Sequence, residues 1–160
     1  MKAMAWFSAV AVSLFYLVSG VYLGFKGYEL GRDIDALEHR AQVAADAEDM
    51  LGYMQTLKGN LEKYDATHGY TAVIFKTPAN DLGLLYESVN RIISRLEQIK
   101  ELPKNEAAYQ VGLDDLRGTI RELEAPAEGI LWVRNWGLIW IMLLIWIWPT
   151  TQIIVYLIQE

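Results

Sequence analysis

Residues 3–25 carry the stretch that decides the fold, AMAWFSAVAVSLFYLVSGVYLGF, which contains no charged residue. As a helix rising about 1.5 Å per residue, this stretch extends about 34 Å, and the hydrocarbon core of a bilayer is about 30 Å thick. Lys2 before it is also compatible with the short basic region of a secretory signal peptide. We predict a retained transmembrane helix over residues 1–26.

A second apolar segment begins near Ile130 and reads ILWVRNWGLIWIMLLIWIWP. Tryptophans lie towards both of its ends, as in interfacial aromatic belts, and an arginine near its start can extend its charge towards water. The predicted interface anchors are Trp132, Arg134, Trp136, Trp146 and Trp148. We predict one transmembrane helix over 129–160, kinked at Pro149 and ending in a short tail. The alternatives are an arginine that functions inside the membrane and a helix that stops near Trp148.

Small residues recur along one face of the first apolar segment. Their spacing of three, four or seven positions places them on one side of a helix, and two pairs match the pattern G-x-x-x-G. The residues of this seam are Ala9, Ser13, Gly20, Gly24, Gly27 and Gly31. In lipid, such a seam lets two helix backbones approach closely. The packing partner is the second apolar segment, a helix of another protein or a second copy of this chain.

The region between the apolar segments has a different composition. Nineteen of the 20 acidic residues lie between Glu29 and Glu128, in a chain of net charge −6. Apolar residues recur there at helical spacing, most regularly at Leu82, Leu85, Val89, Ile92, Leu96 and Ile99. We predict an extramembrane helical domain over 27–128, with helices at about 28–64, 81–102 and 106–124 and a loop at 65–79.

The two apolar segments constrain the topology of this domain, since both meet it at the same face of the bilayer. A long hairpin satisfies that condition, with 28–64 leading outward and 82–124 returning. We favour it over a four-helix bundle in which the first helix breaks near Gly52. The predicted fold is therefore an all-α membrane protein, with two transmembrane helices flanking a coiled-coil-like helical hairpin or small bundle.

The loop at 65–79 contains a short apolar run, YTAVIF, which the hairpin places far from the bilayer. We favour the interpretation that this run caps the tip of the hairpin. The alternative is an exposed docking patch formed by Tyr70, Val73, Ile74 and Phe75, because contiguous apolar surface often marks an interface.

No pattern in the sequence indicates catalysis. Cysteine is absent, and the motifs of di-iron bundles, nucleotide-binding loops, serine hydrolases and zinc proteases do not occur. The acidic cluster Asp46, Glu48 and Asp49 lacks the spacing of a calcium-binding loop and is interpreted as a solvated helix face. We predict no catalytic residue, no metal site and no cofactor. The net negative charge argues against nucleic acid as a partner.

The predicted function is that of a non-catalytic accessory or scaffold subunit of a membrane protein complex. Its partners would be integral membrane proteins or a second copy of itself, together with lipids. The alternative is a self-associating small membrane protein that modulates or blocks another envelope protein, as phage or plasmid factors do. We predict a bacterial inner-membrane location with 27–128 outside the cytoplasm, although Lys26, Arg32 and Arg134 favour the opposite orientation by the positive-inside rule.

Overall fold

The computed structural model describes residues 2–123 and 127–159, with side chains for 10–123 and 127–147. The described residues are mostly helical and form no strand, which confirms the all-helical class. The helices are α1 (Lys2–Leu30), α2 (Ala36–Gln42), α3 (Ala47–Lys63), α4 (Leu82–Ile99), α5 (Ala107–Arg121), α6 (Ala127–Arg134) and α7 (Trp136–Gln159). A π-helical turn at Gly31–Asp35 joins α1 to α2 without a break, and a 3-10 turn at Pro78–Asn80 precedes α4.

One helix is long and apolar enough to cross a membrane, judged by its length and composition. It is the continuous helix that includes Val10–Gln42, and only 6% of its apolar window is buried inside the protein. Signal sequences and core helices of soluble proteins share this length and composition. The described part of the second apolar segment meets the same criterion only if α6 and α7, which are bent by 64°, are taken as one span.

Helices α2 to α5 pack in a ring, in which α2 and α4 each contact both α3 and α5. Lys63 at the end of α3 reaches Asp33 before α2 (3.1 Å), and Lys104 before α5 reaches Asp46 before α3 (2.6 Å). Consecutive helices therefore run in opposite directions, as in an up-down bundle. The fully buried side chains of its core include Met50, Met54, Leu61, Val89, Ile92, Leu96, Leu113, Leu116 and Ile120.

The hairpin favoured from the sequence is not confirmed, because the helix predicted over 28–64 is broken between α2 and α3. The break lies at Val43–Asp46, whereas Gly52 lies inside α3. Asp46 has an extended backbone, and its carboxylate accepts hydrogen bonds from the backbone N–H groups of Glu48 (3.1 Å) and Asp49 (3.0 Å). The acidic cluster interpreted as a solvated face thus contains the N-cap of α3.

The second apolar segment, predicted as one helix over 129–160 with a kink at Pro149, is divided into α6 and α7, which are bent by 64°. It bends at Asn135, whose side-chain amide donates to the carbonyl of Leu131 (2.8 Å) and whose backbone N–H donates to the same carbonyl (3.1 Å). Such local side-chain bonding competes with the regular helical ladder. The predicted kink at Pro149 falls where only the backbone of α7 is described, and α7 continues past it to Gln159.

Candidate functional site

The candidate site is the junction, the end of the bundle at which α1 and α6 meet the π-helical turn and the loop between α3 and α4. The carboxylate of Asp33 in the π-helical turn accepts hydrogen bonds from Arg32 Nε (2.7 Å), Lys63 Nζ (3.1 Å) and Tyr64 Oη (2.7 Å). Burial and the bond to Asp33 raise the pKa of Tyr64, which keeps the phenol protonated as a donor. The end of α3 is thereby fixed to the base of α1.

The π-helical turn also connects to α6. The backbone N–H of Ala127, the first residue of α6, donates to the carboxylate of Asp35, and the side chains of His39 and Glu128 lie near it. A carboxylate at this position complements the positive end of the α6 dipole. Its Oδ1 atom is buried without a hydrogen-bond partner among the described residues. Single π-helical turns inside an α-helix, such as Gly31–Asp35, are often found at functional sites.

The predicted small-residue seam divides into two parts. A Cβ atom at Gly27 would lie 3.3 Å from Leu131 Cδ2, so this position packs against α6 of the same chain. Cβ atoms at Gly20, Gly24 and Gly31 would meet nothing within 4 Å in the described chain. Ser13 is exposed, and the side chain of Ala9 lies outside the described residues. Among the seam glycines, the described chain therefore packs closely against Gly27 and leaves Gly20, Gly24 and Gly31 open.

Helix α1 contacts α7 at a few positions. The phenol of Tyr16 donates to the carbonyl of Met142, and Ser19 is buried. Large apolar side chains elsewhere on α1 are more than half exposed; they are Val10, Leu14, Leu17, Val18, Val21 and Phe25. The rest of the described chain leaves most of the apolar surface of α1 uncovered.

The predicted interface anchors lie on two helices rather than one. Trp132 and Arg134 belong to α6, Trp136 and Trp146 belong to α7, and the 64° bend lies between the two pairs. The four described anchors are exposed, and the side chain of Trp148 lies outside the described residues. The rings of Trp136 and Trp140 meet edge to face with centroids 5.5 Å apart.

Arg134 contacts the bundle. Its guanidinium forms an ion pair with the carboxylate of Asp65 (2.8 Å) and donates to the Asp65 carbonyl. Asp65 lies two residues after the end of α3 and has a positive φ of 53°. The ion pair with Arg134 therefore places the start of the loop at 65–79 beside the end of α6.

The sequence predicts this loop far from the bilayer, whereas in the structure the loop lies beside the start of the second apolar segment. In an up-down bundle, the connection between α3 and α4 returns to the end at which α1 arrives, and the loop lies against α6. A Cβ atom at Gly129 would be 2.5 Å from Thr71 Cβ, so no larger residue fits at this approach without a shift. A groove of about 330 Å³ between the loop and α7 is lined by Tyr70, Val73 and Trp136 among others.

Residues 70–81 form a closed loop, which we call the tip loop. Tyr70 and Asp81 form an isolated antiparallel bridge, with a bond from Thr71 N to Asn80 O (2.9 Å). The side-chain amide of Asn80 donates to the carbonyl of Phe75 (2.7 Å). Of the four predicted patch residues, Tyr70 is half-buried, whereas Val73, Ile74 and Phe75 are exposed. Ile74 and Phe75 are therefore largely uncovered by the described chain, whereas Val73 borders the groove beside Trp136.

In the described ranges, no three His, Asp or Glu side chains are grouped so that they could hold a metal ion. No protein-family model, curated protein or solved structure matches this chain. A functional hypothesis therefore rests on the geometry of the junction and of the apolar helices alone.

Proposed function

We propose that this protein is a membrane-anchored, non-catalytic accessory or scaffold protein, which holds its four-helix bundle at the bilayer and associates with another helix through the Gly20 and Gly24 face of α1. The observation that carries the proposal is the uncovered apolar surface of α1. Transfer of a side chain such as Leu17 or Val21 out of water is favourable by about 1.5–3 kcal/mol. A charge-free surface of this length is stable when lipid or another apolar helix covers it.

Helix α7 supports a second membrane span. It contains 24 residues, Trp136–Gln159, none of them charged, and extends about 36 Å. Arg134 and Asn135 lie just before it, beside the bundle. In this proposal, the second span is α7 alone, and α6 is a connecting helix at the membrane surface. Both spans leave the bundle at the junction, so the two termini lie on the same side of the membrane, with the bundle outside the cytoplasm.

The open part of the seam supports association within the membrane. Leu131 already packs against Gly27, whereas no atom of the described chain lies within 4 Å of a Cβ atom built at Gly20 or Gly24. Glycines in a helix are each less favourable than alanine by up to about 1 kcal/mol, which a close helix contact offsets. The occupant that we propose is a helix of an integral membrane partner. A second copy of the chain is the alternative, and corresponds to the self-associating factor.

The first experiment is gentle extraction from the native membrane, followed by measurement of the mass and composition of the particle. A stoichiometric complex with another membrane protein supports the accessory role, and a particle that contains only multiples of 18.2 kDa supports self-association. A monomer would contradict both. N-terminal sequencing of the extracted protein belongs to the same experiment, because a mature chain that begins after Phe25 would exclude α1 as the anchor.

Substitutions then test the seam. The pair Gly20→Leu and Gly24→Leu fills the open face, and we expect it to release the associated protein or to dissociate the oligomer. The matched control is Val18→Leu with Val21→Leu, which adds volume at two exposed positions of the same helix. Equal association of both double variants with the partner would contradict the proposed use of this face.

A further inference from the structure

We propose that the tip loop inserts its apolar residues Val73, Ile74 and Phe75 into the interfacial layer of the bilayer, as a third membrane contact beside α1 and α7. The ligand is a phospholipid surface, and the contact fixes the bundle close to the membrane. This inference rests on the proposed membrane anchoring, and goes beyond it by assigning a lipid-binding element to the bundle itself.

The position of the tip loop supports a membrane contact. Its residues Tyr70 and Val73 share a groove with Trp136, the first residue of α7, so the tip lies level with the start of the proposed second span. Thr71 touches α6 at Gly129, on the same side of the bundle. The exposed apolar surface of the tip therefore adjoins that of the apolar helices.

The exposure of the tip is large for apolar side chains. Ile74 is 75% exposed and Phe75 is 79% exposed, and they are adjacent in sequence. At the opposite end of the bundle, the break between α2 and α3 exposes a single comparable side chain, Val43, at 80%. Among the described residues, two adjacent apolar side chains that are each at least 75% exposed occur at the tip and not at the break between α2 and α3.

The charge of the tip loop also fits a phospholipid surface. The stretch 66–80 contains no Asp or Glu, although the chain has 20 acidic residues, and the one acidic residue of the tip loop is Asp81 at its end. Lys76 follows Phe75, and its ammonium lies 5.2 Å from the centre of the Tyr70 ring. An aromatic and a basic side chain next to an exposed apolar cluster match the composition of interfacial segments, in which the cation faces phosphate and the apolar groups enter the acyl boundary.

The tip is preformed for this contact. The side chain of Asn80 holds the backbone just before Pro78, through bonds from Thr77 N to its side-chain oxygen (3.0 Å) and from its amide to Phe75 O (2.7 Å). Ordering a flexible segment would oppose binding, and a closed loop avoids most of that loss. The apolar side chains are thus presented to the membrane by a fixed backbone.

The experiment measures the depth of three labels in the full chain. Because the protein has no cysteine, Ile74→Cys, Val43→Cys and Val18→Cys each introduce one site for an environment-sensitive fluorophore. The labelled proteins are reconstituted into nanodiscs of phosphatidylcholine and phosphatidylglycerol, which leave both membrane faces open to solution. Quenching is compared between lipids carrying a nitroxide at the headgroup, lipids carrying it deep in the acyl chain, and iodide in the water.

We expect the label at Ile74 to be quenched by the headgroup nitroxide and protected from iodide. The label at Val43 is the matched control, an equally exposed apolar position at the far end, and should show the opposite pattern. The label at Val18 should be quenched by the deep nitroxide. Phe75→Cys gives an independent reading if the Ile74 variant does not reconstitute.

Each other outcome contradicts a different part of the hypothesis. If Ile74 is as open to iodide as Val43 while Val18 lies in lipid, the tip contact is excluded and the membrane anchoring stands. If Val18 shows no lipid quenching, the anchoring itself is excluded. If Ile74 is protected from both nitroxide and iodide, protein rather than lipid covers the tip, and the assignment to lipid is overturned.

Discussion

The bundle and helix α1 use the same kinds of apolar residue in opposite surroundings. In the bundle, Leu96 and Leu116 are fully buried by helices of the same chain, whereas Leu17 and Val21 on α1 are about two-thirds exposed. The bundle thus completes its own core, and the apolar helices leave their surface to be completed by lipid or by another protein. Substitutions in the two regions should therefore change different properties, stability in the first and membrane association in the second.

The largest expected effect is a cavity in the bundle. Leu96→Ala should lower the free energy of unfolding by about 2–5 kcal/mol, because the methyl groups it removes are packed on all sides. Denaturant unfolding of the full chain in detergent micelles, followed by circular dichroism, measures this change. Leu17→Ala is the matched control and should change the free energy by less than about 0.5 kcal/mol. Equal losses would show that α1 belongs to the same closed core.

A smaller effect is expected where the two regions touch. Gly129→Ala places a methyl group against Thr71, forces the tip loop away from α6 and should destabilise the protein by about 1–3 kcal/mol. Gly118→Ala is the control, because a Cβ atom there meets nothing within 4 Å, and should be neutral or stabilising by up to about 1 kcal/mol. Amide hydrogen exchange should show faster exchange in the tip loop of the Gly129 variant. Unchanged exchange there would mean that α6 and the bundle are not coupled.

The smallest effect on stability is expected at the break between α2 and α3, which separates two of the four bundle helices. Asp46→Ala removes the N-cap of α3 and should lower the free energy of unfolding by about 0.5–2 kcal/mol at neutral pH. Asp46→Asn keeps a capping side chain and should lose less. Substitution of the exposed Asp114, which pairs only with Arg117 in its own helix, is the control for loss of a surface charge. An equal loss for Asp114→Ala would contradict the capping role.

The carboxylate of Asp46 also makes the stability of the folded protein depend on pH. The N–H of Asp49 and the ammonium of Lys104 lower the pKa of Asp46 in the folded state. The stability that this carboxylate contributes is present above its unfolded pKa of about 3.9, and is lost as the pH falls below that value through the folded pKa. The advantage of the native protein over Asp46→Asn should therefore shrink on acidification. A constant difference down to low pH would show that the charge of Asp46 has no role.

The sequence predicts the features that depend on local composition. A charge-free stretch of sufficient length identifies α1, and apolar spacing identifies the helical class, because both are properties of neighbouring residues. The break before α3 was also readable, since Asp46 followed by Glu48 and Asp49 is a typical helix start. The apolar spacing on either side of this break instead predicts one continuous helix over about 28–64.

The junction could not be predicted, because its contacts join residues far apart in the chain. Asn60 of α3 and Tyr64 just after it bond to Asp33 in the π-helical turn at Gly31–Asp35, and no local sequence pattern indicates these contacts. The bend at Asn135 coincides with a side-chain hydrogen bond to Leu131, beside the charged Arg134 in a mainly apolar run. The misplaced loop followed directly from the missed break, since one additional reversal moves the connection between α3 and α4 to the other end of the domain.

The unbroken passage from α1 through the π-helical turn into α2 has a mechanical consequence. Leu30 and Ile34 lie on this continuous rod and are both buried in the core, so a rotation or piston movement of α1 displaces core side chains directly. On the other side, the bend at Asn135 separates α7 from α6, and α7 also contacts α1 through the bond from Tyr16 to Met142. We therefore expect a displacement of α1 to reach the bundle core along one continuous helix, and a displacement of α7 to reach it only through a bent connection and through α1.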